Sequence, residues 1–384
     1  MTDFVPNNLI TLLRNGADYF PALERAIDGA QVEIHLQTYI FEDDGIGRRV
    51  AAALIRAAQR GVTVCVLLDG FGCKDTPKTL IVEMQRSGVE VLFYRPKISP
   101  WTLKRNRLRR LHRKIAVVDG KIAFIGGINI IDDMNTPGHT PPRVDYAVCV
   151  QGPLLKSIEA SARRLWRRIA WARLRSVKPS KPTPSALVVR GNMWAAYVVR
   201  DNALHRHDIE EAYLAAIEAA YDEIIIANAY FLPGRDFRRA LISAAHRGVR
   251  VVLLLQGRVE YWLLHYASRA LYREFLDAGI EIHEYHKSFM HSKVAVVDRR
   301  WATIGSSNID PMSLWLAREA NIVVDDQDFA MQLRDDLEQA IQKGARLIRL
   351  DDWNHTSILR RSTTWFIYNL VRLAMGLIGF PDKA

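Results

Sequence analysis

Two eight-residue runs carry the same reactive side chains in the same order: HRKIAVVD at 112–119 and HSKVAVVD at 291–298. Each supplies a histidine, a lysine two positions on, and an aspartate at the end. On a strand, residues i and i+2 share a face, so His112 and Lys114 point the same way, as do His291 and Lys293. Asp119 and Asp298 lie at odd spacing from their histidines and next to a turn. They read as structural groups that hydrogen-bond within their own half. Asn129 and Asn308 follow in GGIN and GSSN, where small residues let backbone approach a ligand. Two Lys, two Asn and two His make a compact anion site that fits a phosphodiester. Two imidazoles can also divide labour: one attacks phosphorus, and the other protonates the departing alkoxide and then deprotonates an incoming hydroxyl. This chemistry needs neither metal nor other cofactor. One such pattern is expected by chance in roughly one chain in fifty. A second copy with Asn at the same offset makes accident a poor account.

The elements that must position these residues repeat as well. EIHLQTYIF (33–41) matches EIIIANAYF (223–231), GVEVLFY (88–94) matches GIEIHEY (279–285), and HRKIAVVDGKIAFIGGIN matches HSKVAVVDRRWATIGSSN. RRVAAALIRAAQRGVTVCVLLDG (48–70) likewise matches RRALISAAHRGVRVVLLLQG (238–257). Each copy predicts a helix (19–27 or 209–221), a β-rich run, a helix ending at Gly61 or Gly248, and a buried strand. After each histidine two strands meet through a tight turn at Asp119-Gly120 or Asp298-Arg299. Strands alternating with helices predict an α/β fold of two similar α/β/α halves, each with a mixed, largely parallel sheet, packed about a pseudo-two-fold axis. The stretch SVKPSKPTPS (176–185) is the expected linker. It divides a first half, 1–175, from a second, 186–350, with 351–384 as a C-terminal amphipathic segment.

The chain has 384 residues and a formal charge of +11, so its expected partners are anionic: nucleic acid, phosphate esters or an acidic membrane surface. Three sparse cysteines, Cys65, Cys73 and Cys149, form no CxxC pair and fit a reducing compartment. The N-terminus has no basic leader before an apolar stretch, and no long uncharged apolar run is a clear bilayer span. The nearest is TTWFIYNLVRLAMGLIGF (363–380), which carries Arg372 and is expected to lie in a membrane interface, with docking on the protein body as the alternative. Two basic stretches with Trp, 97–114 and 163–175, suit an anionic lipid surface and nearly as well a single-stranded nucleic acid. His205 and His207 suit a helix entry better than a metal pair, since no third ligand is evident. Tyr39 and Tyr230, near the ends of the opening strands, are expected at the cleft or in the core.

The paired motifs resemble the HKD motifs of the phospholipase D superfamily. The longer strings HRKIAVVDGKIAFIGGINI and MHSKVAVVDRRWATIGSSNIDPMSLWLAREANIVV resemble bacterial cardiolipin synthases, the short type B form best. The resemblance covers nearly the whole chain. It implies a phosphatidyl transferase acting on phosphatidylglycerol through a phosphatidyl-histidine, without a metal, at the cytoplasmic face of the bacterial inner membrane. It places both full motifs, Asp119 and Asp298 included, in the catalytic set, with His112 as nucleophile and His291 as acid/base; the residues themselves do not break that symmetry. It also implies that an acid downstream of each motif orients a histidine, and Asp145 and Glu319 occupy those places. Hydrolysis by water, as in a phospholipase D or a nuclease, is the alternative. The apolar C-terminal segment argues against nucleic acid.

Overall fold

The computed structural model describes residues 2–96, 109–174, 189–201, 204–259 and 262–350, together with six residues of the C-terminal segment. The expected linker, most of the basic stretch 97–114 and most of 351–384 lie outside them.

In the first half the strands are β1 (Val5–Arg14), β2 (Glu33–Thr38), β3 (Thr63–Asp69), β4 (Glu90–Tyr94), β5 (Lys114–Val118), β6 (Ile122–Gly126), β7 (Arg143–Val144) and β8 (Tyr146–Gln151). The second half has β9 (Met193–Arg200), β10 (Glu223–Asn228), β11 (Arg250–Gln256), β12 (Glu281–Tyr285), β13 (Phe289–Met290), β14 (Lys293–Val297), β15 (Trp301–Gly305), β16 (Glu319–Asp325) and β17 (Ala345–Ile348). The helices between them are α1 (Asn15–Asp28), α2 (Gly45–Gln59), α3 (Lys78–Arg86), α4 (Leu155–Ala172), α5 (Asp208–Ala219), α6 (Arg235–His246), α7 (Trp262–Arg269), α8 (Tyr272–Asp277), α9 (Pro311–Trp315) and α10 (Gln327–Gly344).

Fifteen strands form one sheet, in the order β17-β12-β11-β10-β14-β15-β16-β9-β1-β8-β6-β5-β2-β3-β4. The order mirrors itself about the β9–β1 seam, so the repeat in sequence is a repeat in topology. The expectation of a largely parallel sheet is corrected. Within this sheet only β2-β3-β4 and β10-β11-β12 run parallel, through the crossover helices α2 and α3 in the first half and α6, α7 and α8 in the second. The other pairings are antiparallel, because the motif strands β5 and β14 turn back at once into β6 and β15. Both turns need the left-handed backbone at two successive residues: Asp119 and Gly120 (φ 52° and 60°), and Asp298 and Arg299 (φ 50° and 53°). Such turns match strand twist, and a non-glycine residue accepts the conformation only when something holds it.

Each half is layered. Helices α1–α3 cover one face of the first sheet and α4 the other, and α5 and α6 with α10 do the same in the second. The largest shared core draws Ile115, Val117 and Ile125 from one half and Val294, Val296 and Ile304 from the other, so the halves bury a common apolar surface. Strands β1 and β9, which join them, carry weak alternation and were not foreseen. At the C-terminus, Ile367 enters the second-half core beside Phe231 and Leu314, while Phe366, Leu370 and Leu373 face outward on one stripe. Docking on the body and an outward apolar face therefore coexist in this segment. No described helix is long and apolar enough to cross a membrane.

The motif aspartates are what hold the two turns. Asp119 accepts the backbone N–H groups of Gln31, Val32 and Glu33 at 2.8–2.9 Å, and Asp298 those of Tyr221, Asp222 and Glu223 at 2.9–3.1 Å. Each ties the motif strand to the entry of β2 or β10. Asp119→Ala leaves three N–H groups without an acceptor and should cost about 2–4 kcal/mol, read as a lower urea midpoint by tryptophan fluorescence, with Asp119→Asn losing less.

Candidate active site

The two motifs meet through exchanged contacts. His112 and Arg113 donate their backbone N–H groups to Arg318 O at 3.0 and 2.8 Å, and Arg318 N–H donates to Arg110 O at 2.8 Å. In mirror fashion His291 N–H donates to Val144 O at 2.8 Å and Phe289 N–H to Thr140 O at 3.0 Å, with β13 and β7 pairing locally. Each histidine is thus seated on backbone from the other half.

The side chains cross as well. His112 Nδ1 lies 2.8 Å from Oε1 of Glu319, a second-half residue. His291 Nδ1 lies 2.6 Å from Oδ2 of Asp145, a first-half residue. Both carboxylates are buried, at 0% and 1% exposure, so no water competes for these bonds. A carboxylate on Nδ1 makes that nitrogen the donor and leaves a lone pair on Nε2. Ser306 Oγ donates to Glu319 Oε2. Asp145 has no such hydroxyl, because Gly127 occupies the equivalent place and a Cβ there would stand 2.2 Å from Asp145 Oδ1.

Both lysines are buried beside their histidines. Lys114 Nζ donates to His112 O at 2.6 Å, and Lys293 Nζ donates to His291 O. Lys293 Nζ also lies 2.8 Å from His291 Nδ1, but that nitrogen spends its proton on Asp145, so the contact is one of charge. Burial pushes Lys114 down to about 7, with Lys293 adding to the fall and Glu319 opposing it. Burial also lowers His112, where the Glu319 carboxylate opposes and Lys114 and Lys293 reinforce the shift. His291 is lowered to about 3 by burial and Lys293, against Asp145. Burial alone would raise Asp145, yet Lys293 and His291 hold it below the usual carboxylate range. Groups from both motifs act on one another, so the four basic side chains share one site.

Asn129 and Asn308 are buried at the ends of the following strands, at 5% and 3% exposure. Asn129 Oδ1 accepts Ile40 N–H at 3.1 Å, which leaves its NH₂ as the free end for a ligand oxygen. Asp119 and Asp298 are the exception among the motif residues. They sit at the far end of their strands from the histidines, seven residues on, where their carboxylates accept backbone N–H groups. His205 and His207 pair with Asp208 and Glu210 at the start of α5.

Several contributors escaped the sequence reading. Asp69 ends β3 and accepts Leu111 N–H at 2.7 Å, fixing the residue before His112. Buried Arg200 donates to Leu314 O and Ala317 O and so clamps the loop that delivers Arg318 and Glu319. Tyr39 was placed at the cleft or in the core without a task. Its ring meets His112 edge-on at 4.9 Å, and Lys114 Nζ lies 5.5 Å over it. A buried charge ending an apolar strand was the available signal for Asp69 and Arg200.

The sequence matches the family described as "Cardiolipin synthase, PLD-like domain" over residues 23–138 and 213–341, one segment per half. It is 40% identical to cardiolipin synthase B of Shigella flexneri, over 97% of this chain and 89% of that protein. It is 31% identical to a cardiolipin synthase of Geobacillus thermodenitrificans, over 90% of this chain and 66% of that one. In fold it is similar to the crystal structure of phosphatidylserine synthase from Haemophilus influenzae, with a TM-score of 0.69 at 13% identity over 98% and 96% of the two chains. With its duplicated halves and paired HKD motifs, the chain belongs to the phospholipase D-like cardiolipin synthase family, in its type B form, and is a phosphatidyltransferase.

Proposed function

We propose that this enzyme makes cardiolipin from two molecules of phosphatidylglycerol through a phosphatidyl-histidine. The observation that carries the reading is the crossed pair of carboxylate–imidazole bonds, which leaves two Nε2 lone pairs in one lysine-lined site. His112 Nε2 attacks phosphorus, the bond to the donor's glycerol breaks, and His291, which takes up a proton on Nε2 beside the bound phosphodiester, gives it to that oxygen. The head-group hydroxyl of a second phosphatidylglycerol then passes its proton to His291 and forms the new P–O bond as the P–N bond to His112 breaks. Lys114, Lys293 and the NH₂ groups of Asn129 and Asn308 stabilise the non-bridging oxygens. The family resemblance assigns His291 as acid/base and His112 as nucleophile, and each ring is held through Nδ1, by Asp145 and Glu319 respectively.

A lipid substrate requires work at a membrane. The net charge of +11 and the outward stripe of Phe366, Leu370 and Leu373 support peripheral attachment to an anionic bilayer, at the cytoplasmic face of the bacterial inner membrane.

Expression in cells that lack their own cardiolipin synthases tests the assignment. Cardiolipin should appear by mass spectrometry with the wild-type protein and fall by about a thousandfold or more with His112→Ala. Its absence with wild type, or persistence with the variant, refutes the proposal.

The pH profile tests the role of Lys114. The residue is cationic below its pKa of about 7 and neutral above it, so kcat/KM for phosphatidylglycerol should fall as pH rises through about 7. Lys114→Arg stays charged and should remove that alkaline fall; a fall that persists unchanged would assign it to another group.

Glu319→Gln should lower kcat by about a hundredfold or more, since an amide no longer holds the Nδ1–H tautomer or supports imidazolium character on His112. Glu319→Asp should recover part of that loss in the same assay, which a purely structural role would not produce.

A further inference from the structure

The two halves differ at the point where the opening strand meets the motif. In the first half the hydrogen bonds close on themselves: Ile40 N–H donates to Asn129 Oδ1, Ile130 N–H donates to Ile40 O, and Thr38 Oγ1 donates to the same carbonyl. Asn228 takes the place of Thr38 in the second half and changes the pattern. Its Oδ1 accepts Ile309 N–H at 3.2 Å, which fixes the amide so that Nδ2 must be the other end. That Nδ2 is buried with no partner among the described residues, and so is Oδ1 of Asn308, the counterpart of the satisfied Asn129 Oδ1.

Orphaned buried polar atoms are rare in folded proteins, and each leaves a cost that a bound group removes. Here one is a donor and one an acceptor. Asn228 stands directly across the ladder from Lys293, so the two side chains share a face of the sheet. The next residue differs too. Tyr39 walls the first motif with its ring against His112 and Lys114, whereas the equivalent residue in the second half is Ala229. The side chain at this position of the second half is a buried methyl group and not a phenol ring.

We propose that Asn228 and Asn308, beside Ala229, form a polyol subsite that holds the glycerol head group of the acceptor next to His291. A hydroxyl both accepts and donates, so one hydroxyl satisfies Asn228 Nδ2 and Asn308 Oδ1 together. A neighbouring hydroxyl of the same polyol is then placed to lose its proton to His291 and form the P–O bond as the P–N bond breaks. The donor's departing glycerol leaves from the same place. This inference rests on the transferase reading above.

A donor whose leaving group is not a polyol separates the two. Short-chain phosphatidyl-p-nitrophenol reports formation of the phosphohistidine by release of nitrophenol, and added glycerol competes with water for the phosphatidyl group. Phosphatidylglycerol and phosphatidic acid are counted by mass spectrometry. Asn228→Ala should raise the half-saturating glycerol concentration by about tenfold, the loss expected for one buried hydrogen bond. Ala229→Tyr, which rebuilds the wall without touching an amide, should raise it at least as much. Thr38→Ala, the matching change in the first half, should leave it at the wild-type value. If Asn228→Ala and Ala229→Tyr both keep the wild-type dependence, the subsite is overturned. It is equally overturned if Thr38→Ala shifts the dependence as far. Nitrophenol release with no transfer to glycerol by the wild-type enzyme also overturns it. Wild-type protein that releases no nitrophenol refutes the transferase reading itself.

Discussion

Everything at the centre of this enzyme depends on two carboxylates that orient histidines they do not share a half with. Glu319 holds His112 and Asp145 holds His291, each at hydrogen-bond distance and each away from water. A buried carboxylate with no partner is costly, and a buried histidine without one loses its tautomer. The cost of exposing either group therefore couples the halves: separating them would strand both carboxylates and both imidazoles at once. The backbone bonds through Arg318 and Val144, and the core shared between Ile115 and Val294, reinforce the same coupling by hydrogen bonding and apolar burial. The strand seam between β1 and β9 completes it, so neither half is a functional unit.

The burial that makes these bonds strong also sets the charge state. Desolvation favours neutral imidazole and weakens the lysine ammonium, while the carboxylates oppose both effects. A site poised in this way meets an anionic phosphodiester with the histidine lone pairs available. The arriving charge then stabilises the protonated form of any base beside it. In the proposed reaction, protonation of His291 is thus favoured by the substrate's own charge.

The duplicated plan was legible because repetition made it so. HxK on a strand is weak evidence alone, but a second copy followed by Asn at the same offset gave the site, its two lysines and its two asparagines. The crossover helices and buried strands followed from apolar periodicity closed by Gly61 and Gly248. The largely parallel sheet was an overestimate, since the hairpins at Asp119 and Asp298 already implied antiparallel pairs flanking each parallel trio. What could not be read was partnership across the repeat. Asp145 and Glu319 were visible as candidates, yet nothing local says that each serves the other half's histidine, because that follows from packing about the pseudo-two-fold axis. Strands β1 and β9 lie outside the strings that repeat between the halves, so repetition did not mark them, although each pairs along its length with β8 or β16 of its own half.

A two-fold frame suits a phosphate, whose oxygens can be gripped alike from both sides, but the reaction is not symmetric. In the proposed reaction one histidine bonds to phosphorus and the other moves protons. Any difference between them has to come from residues that the repeat did not preserve. Four such differences gather at the site: Glu319 against Asp145, Ser306 against Gly127, Tyr39 against Ala229, and Thr38 against Asn228. The first two give the histidines different seats: Glu319 is braced by the Ser306 hydroxyl and Asp145 by the Tyr146 N–H. The last two put a phenol ring against His112 and an amide across the ladder from Lys293. In the proposed reaction the imidazole packed against Tyr39 attacks phosphorus, and the one on the Asn228 side meets a departing and then an arriving hydroxyl. On that reading the positions shared by the two copies bind the phosphate, while those that differ give the two histidines their separate duties.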